Sequence, residues 1–221
     1  MFVSENLGVN EKGNLTIGGI DTVNLAKQYG TPLYVMDEQA VRKACQRFKN
    51  SIDKYYGGNG LVCYASKAFS CMEMCRIVGS EGLGLDVVSI GELYTAVKAG
   101  FDVSKIGFHG NNKTNEELEY AVDVKVGHII VDNISELLRL EEIAKSKNAK
   151  PDIMFRIKPG IDAHTHNFVK TGQIDSKFGF ALETGEAFEA VKQAIACENV
   201  NLMGLHCHIG SQIFDIAPFE E

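Results

Sequence analysis

Short apolar segments alternate with helical patterns along most of the chain. The first five apolar runs begin 22 to 25 residues apart, and the stretches between them place apolar side chains three or four residues apart. The runs contain few polar residues, as strands covered on both faces of a parallel sheet do. This pattern predicts repeated strand–helix units. The six predicted strands are residues 61–65, 83–88, 105–109, 128–132, 153–157 and 202–207.

Polar caps and a glycine mark the predicted helix boundaries. Thr114 followed by Glu117 predicts a capping box, in which each side chain binds a free amide of the first turn. Asn133 or Ser135 can cap the next helix. Gly100 can end the helix that contains Leu93 and Val97, since glycine readily adopts a left-handed conformation.

Two parts of the chain depart from this repeat. Residues 1–35 contain strand-like segments at Gly13–Ile20 and Thr31–Val35, which belong to no strand–helix unit. The interval before the last strand is about twice as long as the others and contains the polar segment Pro159–His166. Long inserted loops of this kind are usually functional. We therefore divide the chain into N-terminal strands, 1–35, and repeated units, 36–221.

The number of strands bears on the fold class. A closed (β/α)8 barrel needs eight strands, and six are predicted here. An open dinucleotide-binding sheet should carry a glycine-rich turn after its first strand. The corresponding turn, Ser66–Phe69, contains no glycine. We therefore expect an α/β protein of the (β/α)8 barrel type, truncated after about six strands.

Composition narrows the classes of partner. The 221 residues are 45% hydrophobic, enough for a substantial core. A formal net charge of −7, with no basic cluster, argues against nucleic-acid or anionic-membrane binding. We find neither a signal-peptide pattern nor an apolar stretch long enough to span a bilayer. The six cysteines lie mostly in apolar periodic segments, as reduced core residues do. We expect a cytoplasmic protein.

Lys67 directly follows the first predicted strand and is the first candidate for chemistry. If it is buried or half-buried, its amine has a lowered pKa and can attack a carbonyl, such as the aldehyde of pyridoxal phosphate. The alternative is an ordinary solvated lysine at a strand end.

Polar side chains also follow the other strands, whose carboxyl ends converge at one mouth of a barrel. Arg156, the Ser211 hydroxyl and the amides around Gly210 suit a phosphate group. His208 offers a flat ring on which an aromatic cofactor can stack. A phosphate-bearing cofactor is therefore predicted. The strand-end residues are Lys67, Asp86, Ser89, Glu92, His109, Asn111, Asp132, Arg156, His206, His208 and Ser211.

The same residues allow interpretations without a cofactor. The segments His164–His166 and His206–His208 each hold two histidines two residues apart, which also suits a metal ion. Because no acidic or cysteine ligands join them at regular spacing, we expect no metal. Asp86 and Arg156 could instead form a buried ion pair without a catalytic role. A purely structural protein is the remaining alternative.

Six motifs at these positions resemble those of the diaminopimelate decarboxylases, a family with an alanine-racemase-like barrel. The resemblance runs from about Thr31 to Glu221 and covers the N-terminal half of such an enzyme. The motifs are Tyr64–Ala68, Asp86–Ser89 with Gly91–Leu93, Phe108–Lys113, Asp162–His166, Ser176–Gly179 and Gly204–Gln212.

The resemblance implies that pyridoxal 5′-phosphate is bound to Lys67, that His208 stacks on its ring, and that Ser211 lies near its phosphate. Lys67 and His208 would be catalytic. It further implies that Lys177 lies near a homodimer interface in the full-length protein. The cofactor-binding residues implied are Lys67, Asp86, His109, Arg156, His208 and Ser211.

The implied reaction is the decarboxylation of meso-2,6-diaminopimelate to L-lysine and CO2, a step of lysine biosynthesis. The 221 residues lack the family's glycine-rich phosphate loop and C-terminal β-domain. We therefore expect a fragment that is inactive and poorly soluble alone. The alternatives are an arginine, ornithine or carboxynorspermidine decarboxylase of the same fold, and a non-catalytic homologue that binds pyridoxal phosphate.

Overall fold

The structure is a computed structural model that describes residues 4–161, 177–211 and 213–220. The contacts divide the chain into two compact units. The first unit holds the residues up to Val62 together with Ile77–Leu83, and the second holds Cys63–Arg76 and the residues from Gly84 onward. The division predicted at about residue 35 stays a prediction.

The first unit contains a small antiparallel sheet and two helices. Of the strand-like segment predicted at residues 13–20, residues 15–17 and 20 lie in the second and third strands of this sheet and residues 18–19 form the turn between them, so the prediction is confirmed in part. Thr31–Val35 forms no strand, contrary to prediction, and the segment before it is helical. Asp21 caps that helix, for which no prediction was made, by accepting a hydrogen bond from the Val23 amide at 2.8 Å. The elements are β1 (Leu7–Val9), β2 (Leu15–Ile17), β3 (Ile20–Asp21), α1 (Thr22–Tyr29) and α2 (Glu38–Tyr56).

The second unit contains a parallel sheet with helices between its strands, and it includes all six predicted strands. Its strands are β4 (Cys63–Ala65), β5 (Gly84–Val87), β6 (Ile106–Phe108), β7 (His128–Val131), β8 (Asp152–Lys158), β9 (Phe180–Ala181) and β10 (Asn201–Cys207). Its helices are α4 (Ile90–Lys98), α5 (Asn115–Asp123), α6 (Ile134–Ser146), α7 (Glu186–Ala196) and α8 (Ala217–Glu220), while α3 (Met72–Ser80) contributes residues to both units.

The strands of this sheet pair in the order β4-β5-β6-β7-β8-β10, and the short β9 also pairs with β8. All these pairings are parallel. Ala65 pairs with Asp86, Asp86 with Gly107, and Gly107 with His128, so that partners are 21 residues apart in each pair. The regular spacing of the sequence therefore places equivalent positions in one row across the sheet.

Gly107 opens space in that row. A Cβ atom at this position would lie 2.9 Å from His128 Nε2 and 3.4 Å from Asp86 Oδ1. Because glycine has no side chain, the imidazole and the carboxylate on its two sides can occupy the space above it.

Apolar side chains fix the strands and helices of this unit. Leu85, Phe108 and Ile129 of the sheet are fully buried, as are Leu118 and Leu137 of the helices. Each such side chain contributes roughly 1.5 to 3 kcal/mol by leaving water. The strand ends are therefore held in place by a dry core.

The predicted helix boundaries are confirmed. The Glu117 amide donates to Thr114 Oγ1 at 3.2 Å, and the Thr114 amide donates to Glu117 Oε2 at 2.9 Å, which completes the capping box of α5. Asn133, rather than Ser135, caps α6. Gly100 follows α4 with φ of +76°. Among the described residues, no helix has both the length and the apolar character needed to cross a membrane.

Candidate active site

The ends of three strands bring a carboxylate and two imidazoles into contact. His109 Nε2, just after β6, lies 3.3 Å from Asp86 Oδ1 of β5. The His109 ring meets the His206 ring of β10 edge to face, with the ring centroids 4.9 Å apart. The sequence prediction that these strand ends converge is therefore confirmed.

Asp86 is the ionised member of this cluster. Burial is the largest influence on the pKa of Asp86 and would raise it, but the hydrogen bond to His109 and the other surroundings together lower it. A permanent carboxylate at this position orients the His109 ring.

His206 is held neutral. Burial, reinforced by the nearby His109 and Arg156, lowers the pKa of His206 to about 4. Its Nδ1 atom is buried and has no hydrogen-bond partner among the described residues. A neutral ring with an unsatisfied nitrogen is suited to meet a polar ligand or a water molecule.

Two cations act on His208, which follows β10. Burial lowers the pKa of His208, and Arg156 and Lys67 lower it further through their charges. The hydroxyl Oγ of Ser211 lies 3.4 Å from His208 Nε2. Lys67, Arg156, His208 and Ser211 therefore surround one region, and its positive charge favours an anionic ligand.

Lys67 has the second of the two environments considered for it. Its side chain is exposed in the structure, as for a solvated lysine at a strand end, and is neither buried nor half-buried. The reason is local: Ser66–Ala68 form a 3-10 turn after β4 in which Ser66 is buried and Lys67 projects outward. The Tyr64 hydroxyl closes this turn by donating to the Phe69 carbonyl at 3.2 Å.

Arg156 of β8 lies between a carboxylate and an aromatic ring. Its guanidinium is 4.0 Å from Asp132 Oδ1 and stacks over the Phe178 ring at 4.2 Å. Gly179 donates its amide to Asp132 Oδ2 at 3.2 Å. Asp86 and Arg156 thus have different ionic partners, and the alternative that they pair with each other is wrong.

The structure also contains a buried ion pair that the sequence pattern did not indicate. Lys113 Nζ lies 2.7 Å from Glu136 Oε1, and the two side chains are 2% and 0% exposed. Lys113 belongs to a motif already noted, but its role was not predicted. Glu136 stands in the first turn of α6, where an acidic residue usually indicates only helix capping.

The other predicted residues have simpler positions. Ser89 caps α4 by accepting from the Glu92 amide, and Glu92 Oε2 accepts from the Val88 amide. Asn111 is half-buried in the turn after β6. His164 and His166, with most of the inserted loop, lie outside the described residues, as does Gln212. Residues 4–161, 177–211 and 213–220 contain no cluster of three or more His, Cys, Asp or Glu side chains that could hold a metal ion.

Comparison with known proteins gives one family. Residues 38–221 match the family described as pyridoxal-dependent decarboxylase, pyridoxal binding domain. The chain is 52% identical over 219 residues to the diaminopimelate decarboxylase of Bacillus methanolicus and 49% identical to that of Bacillus subtilis (strain 168). In both cases the match covers 99% of this chain and 50% of the relative. The chain therefore spans about half the length of these curated relatives.

Solved structures show the same likeness. The crystal structure of diaminopimelate decarboxylase from M. jannaschii in complex with L-lysine superposes with a TM-score of 0.89 at 37% identity. The superposition covers 99% of this chain and 51% of the chain in that crystal structure. The predicted fold class, a (β/α)8 barrel present in part, is confirmed.

Proposed function

This chain belongs to the pyridoxal-dependent decarboxylases, and we propose that the complete protein is a diaminopimelate decarboxylase, a carboxy-lyase of lysine biosynthesis. It would convert meso-2,6-diaminopimelate to L-lysine and CO2. The observation that carries the proposal is the convergence of Lys67 and Arg156 on His208 at the ends of parallel strands. The near 50% identity to enzymes of that name supports the choice of substrate.

The chain's residues fit pyridoxal 5′-phosphate. An exposed amine at Lys67 is accessible to the cofactor aldehyde, and the positive region around His208 suits the phosphate. Ile209–Ser211 adds backbone amides there, with glycine in the middle for close approach. A half-buried imidazole at His208 is suited to stack on an aromatic ring.

The side chains then have distinct tasks. When bound, the cofactor supplies an acceptor for the electrons of the broken carbon–carboxylate bond. Lys67 anchors the cofactor, Arg156 and Ser211 hold its anionic part, and Asp86 keeps His109 in a fixed orientation. The substrate loses CO2 and gains one proton at the same carbon, which balances the reaction.

A trapping experiment tests the cofactor assignment. The full-length protein is incubated with pyridoxal 5′-phosphate, reduced with borohydride and analysed by peptide mass spectrometry. We expect one phosphopyridoxyl group, on Lys67. The Lys67→Ala variant should lose the label, while Lys105→Ala, at the opposite end of the sheet before β6, should keep it. Labelling spread over several lysines would contradict the assignment.

A turnover experiment separates the remaining candidates. We expect the full-length protein to release CO2 from meso-diaminopimelate and to release none from ornithine or arginine. Turnover of ornithine or arginine instead would indicate another decarboxylase of the same fold. Specific labelling of Lys67 without any turnover would indicate a non-catalytic cofactor-binding protein.

We also propose that the full-length protein is a homodimer with Lys177 near its interface. Lys177 is exposed and its Nζ lies 5.2 Å from the centroid of the Phe178 ring, next to Arg156. We expect Lys177→Glu to weaken dimerisation, as measured by light scattering after size exclusion. An unchanged dimer would contradict the interface position.

We propose a cytoplasmic location for the protein. Its support is the chemistry of the cysteines: all six are free, and Cys45 and Cys75 are buried among apolar side chains. Free buried thiols are typical of a reducing compartment. Fractionation of the native cells is the direct test.

A further inference from the structure

One buried ammonium group joins the ends of two neighbouring strands. Lys113 Nζ donates to the Gly110 carbonyl at 2.8 Å, to the Ile130 carbonyl at 2.6 Å and to Glu136 Oε1 at 2.7 Å. These three acceptors use all three hydrogens of an ammonium group. Gly110 directly follows His109, and Ile130 lies in β7 two residues before Asp132.

Glu136 extends the connection to Asp132 itself. Its Oε1 accepts from Lys113, and its Oε2 accepts from the Asp132 backbone amide at 3.4 Å. The Asp132 carboxylate then faces Arg156 on one side and the Gly179 amide on the other. Lys113 is therefore connected to Arg156 through Glu136 and Asp132, by hydrogen bonds and ion pairs.

Stability alone is a weak explanation for this pair. Two charges in a dry site lose their hydration, and well-packed apolar residues of similar size are often equally stabilising. The pair nevertheless satisfies backbone carbonyls at two strand ends, which an apolar pair would leave without partners. Its distinctive contribution is the fixed geometry of those two ends.

We propose that Lys113 and Glu136 are positioning residues for the cofactor site. They hold the strand ends that carry His109 and Asp132, and through Asp132 they set the guanidinium of Arg156. The inference rests on the proposed function, because it assigns to the pair the task of shaping the site for pyridoxal 5′-phosphate.

Paired substitutions in the full-length protein test the inference. The first variant, Lys113→Met with Glu136→Leu, removes both charges. The second is Asp132→Asn, and the third combines all three changes. The control, Lys147→Met with Asp123→Ala, removes a second 2.7 Å ion pair, which joins Lys147 just after α6 to Asp123 at the end of α5. The melting temperature and the dissociation constant for pyridoxal 5′-phosphate are measured for each.

We expect the Lys113/Glu136 variant to melt at a lower temperature than the unaltered protein, because two strand-end carbonyls lose their partners. Where it is folded, it should bind pyridoxal 5′-phosphate at least about 10-fold more weakly. The control should bind it normally. Because the pair acts through Asp132, its loss and the loss of the Asp132 charge should not add. The triple variant should bind pyridoxal 5′-phosphate no more weakly than the weaker binder of the Lys113/Glu136 variant and Asp132→Asn. If the paired variant fails to fold, Glu136→Gln, which preserves size, should give the same direction of change in cofactor affinity.

Two results would overturn the inference. Unchanged cofactor affinity in a folded Lys113/Glu136 variant would show that the pair is structural only, and so would strictly additive effects with Asp132→Asn. These results leave the proposed function intact. Failure of the unaltered protein to bind pyridoxal 5′-phosphate would instead overturn the proposed function, and the inference with it.

Discussion

Three histidines at or near the strand ends are kept neutral by their surroundings. Burial is the leading cause of the lowered pKa of His128, His206 and His208 alike. A neutral ring can accept or donate a hydrogen bond, whereas a charged ring only donates. The protein thereby keeps hydrogen-bond acceptors in a region that Arg156 and Lys67 make positive.

The pKa of His206 predicts a dependence of stability on pH. The unfolded chain binds a proton at His206 near pH 6.5, while the folded protein does so only near pH 4. Between these values the unfolded state holds more protons, so the free energy of unfolding decreases as the pH falls. The groups facing His206 are His109, Arg156, Asp86 and His208.

We expect His206 to account for a loss on the order of 1 to 2 kcal/mol between pH 7.5 and pH 5, with partial solvent screening included. Urea unfolding of the full-length protein at these two pH values measures it. His206→Gln should flatten the pH dependence, whatever its effect at pH 7.5. An unchanged difference between the two pH values would show that His206 does not titrate in this way.

The sequence was sufficient to predict which residues of the site lie together where a polar side chain directly follows a strand. It indicated Lys67, Asp86, His109, Arg156 and His208 together, because parallel strands end at one edge. It could not decide whether Lys67 is buried or exposed, since the 3-10 turn depends on local backbone geometry. Nor could it pair Lys113 with Glu136, which are 23 positions apart and meet only through the packing of α6 beside β7.

At the scale of elements, strands were easier to predict than the chain before them. A strand covered on both faces is an apolar run, and the six runs became the strands β4 to β8 and β10. Residues 4–35 are mostly exposed, and α1 has no buried residue. Because the apolar pattern there is weak, the Asp21 cap is the main sequence feature that indicates α1.

The turn before β9 depends on Gly179, whose φ is +68°. A Cβ at this position would lie 2.5 Å from the Arg156 carbonyl oxygen, too close for any side chain. We expect Gly179→Ala to destabilise the full-length protein by roughly 2 to 3 kcal/mol, through strain and displacement of β8. Gly185→Ala is the matched control, since φ there is +80° but no atom lies within 4 Å of the added methyl group. Equal melting temperatures for the two variants would contradict this difference.

The capping box of α5 gives a second prediction for an element. Thr114→Ala removes the acceptor of the Glu117 amide, and we expect a loss of about 1 kcal/mol of unfolding free energy. Thr95→Ala is the control, because its hydroxyl only bonds the Gly91 carbonyl within α4. Chemical unfolding of both variants measures the difference. An equal or larger loss of unfolding free energy in Thr95→Ala would contradict the prediction for the cap.

At the scale of the whole molecule, β4 and β10 form the two ends of the parallel sheet among the described residues. Met203 and Leu205 of β10 are half exposed. Exposed apolar edge strands are prone to pair with other chains. This arrangement supports the expectation that the 221 residues are poorly soluble in isolation.

A solubility measurement tests that expectation. We expect the isolated 221-residue chain to aggregate in light-scattering measurements and the full-length protein to remain dispersed. Met203→Lys with Leu205→Lys should reduce aggregation of the isolated chain. Leu138→Lys, at a similarly exposed position on the helix α6, should not. A dispersed, unaltered 221-residue chain would contradict the expectation.

The consecutive pairing of β4 through β8 also affects how the protein forms during synthesis. Each strand from β5 to β8 bonds to the strand made just before it, at a spacing of about 21 residues for the first three pairs. At typical translation rates a ribosome adds that length in about one to four seconds, far longer than a short loop needs to close. Asp86 and His109 can therefore meet while Arg156 and His206 are still unmade, and the candidate site is assembled in the order of translation.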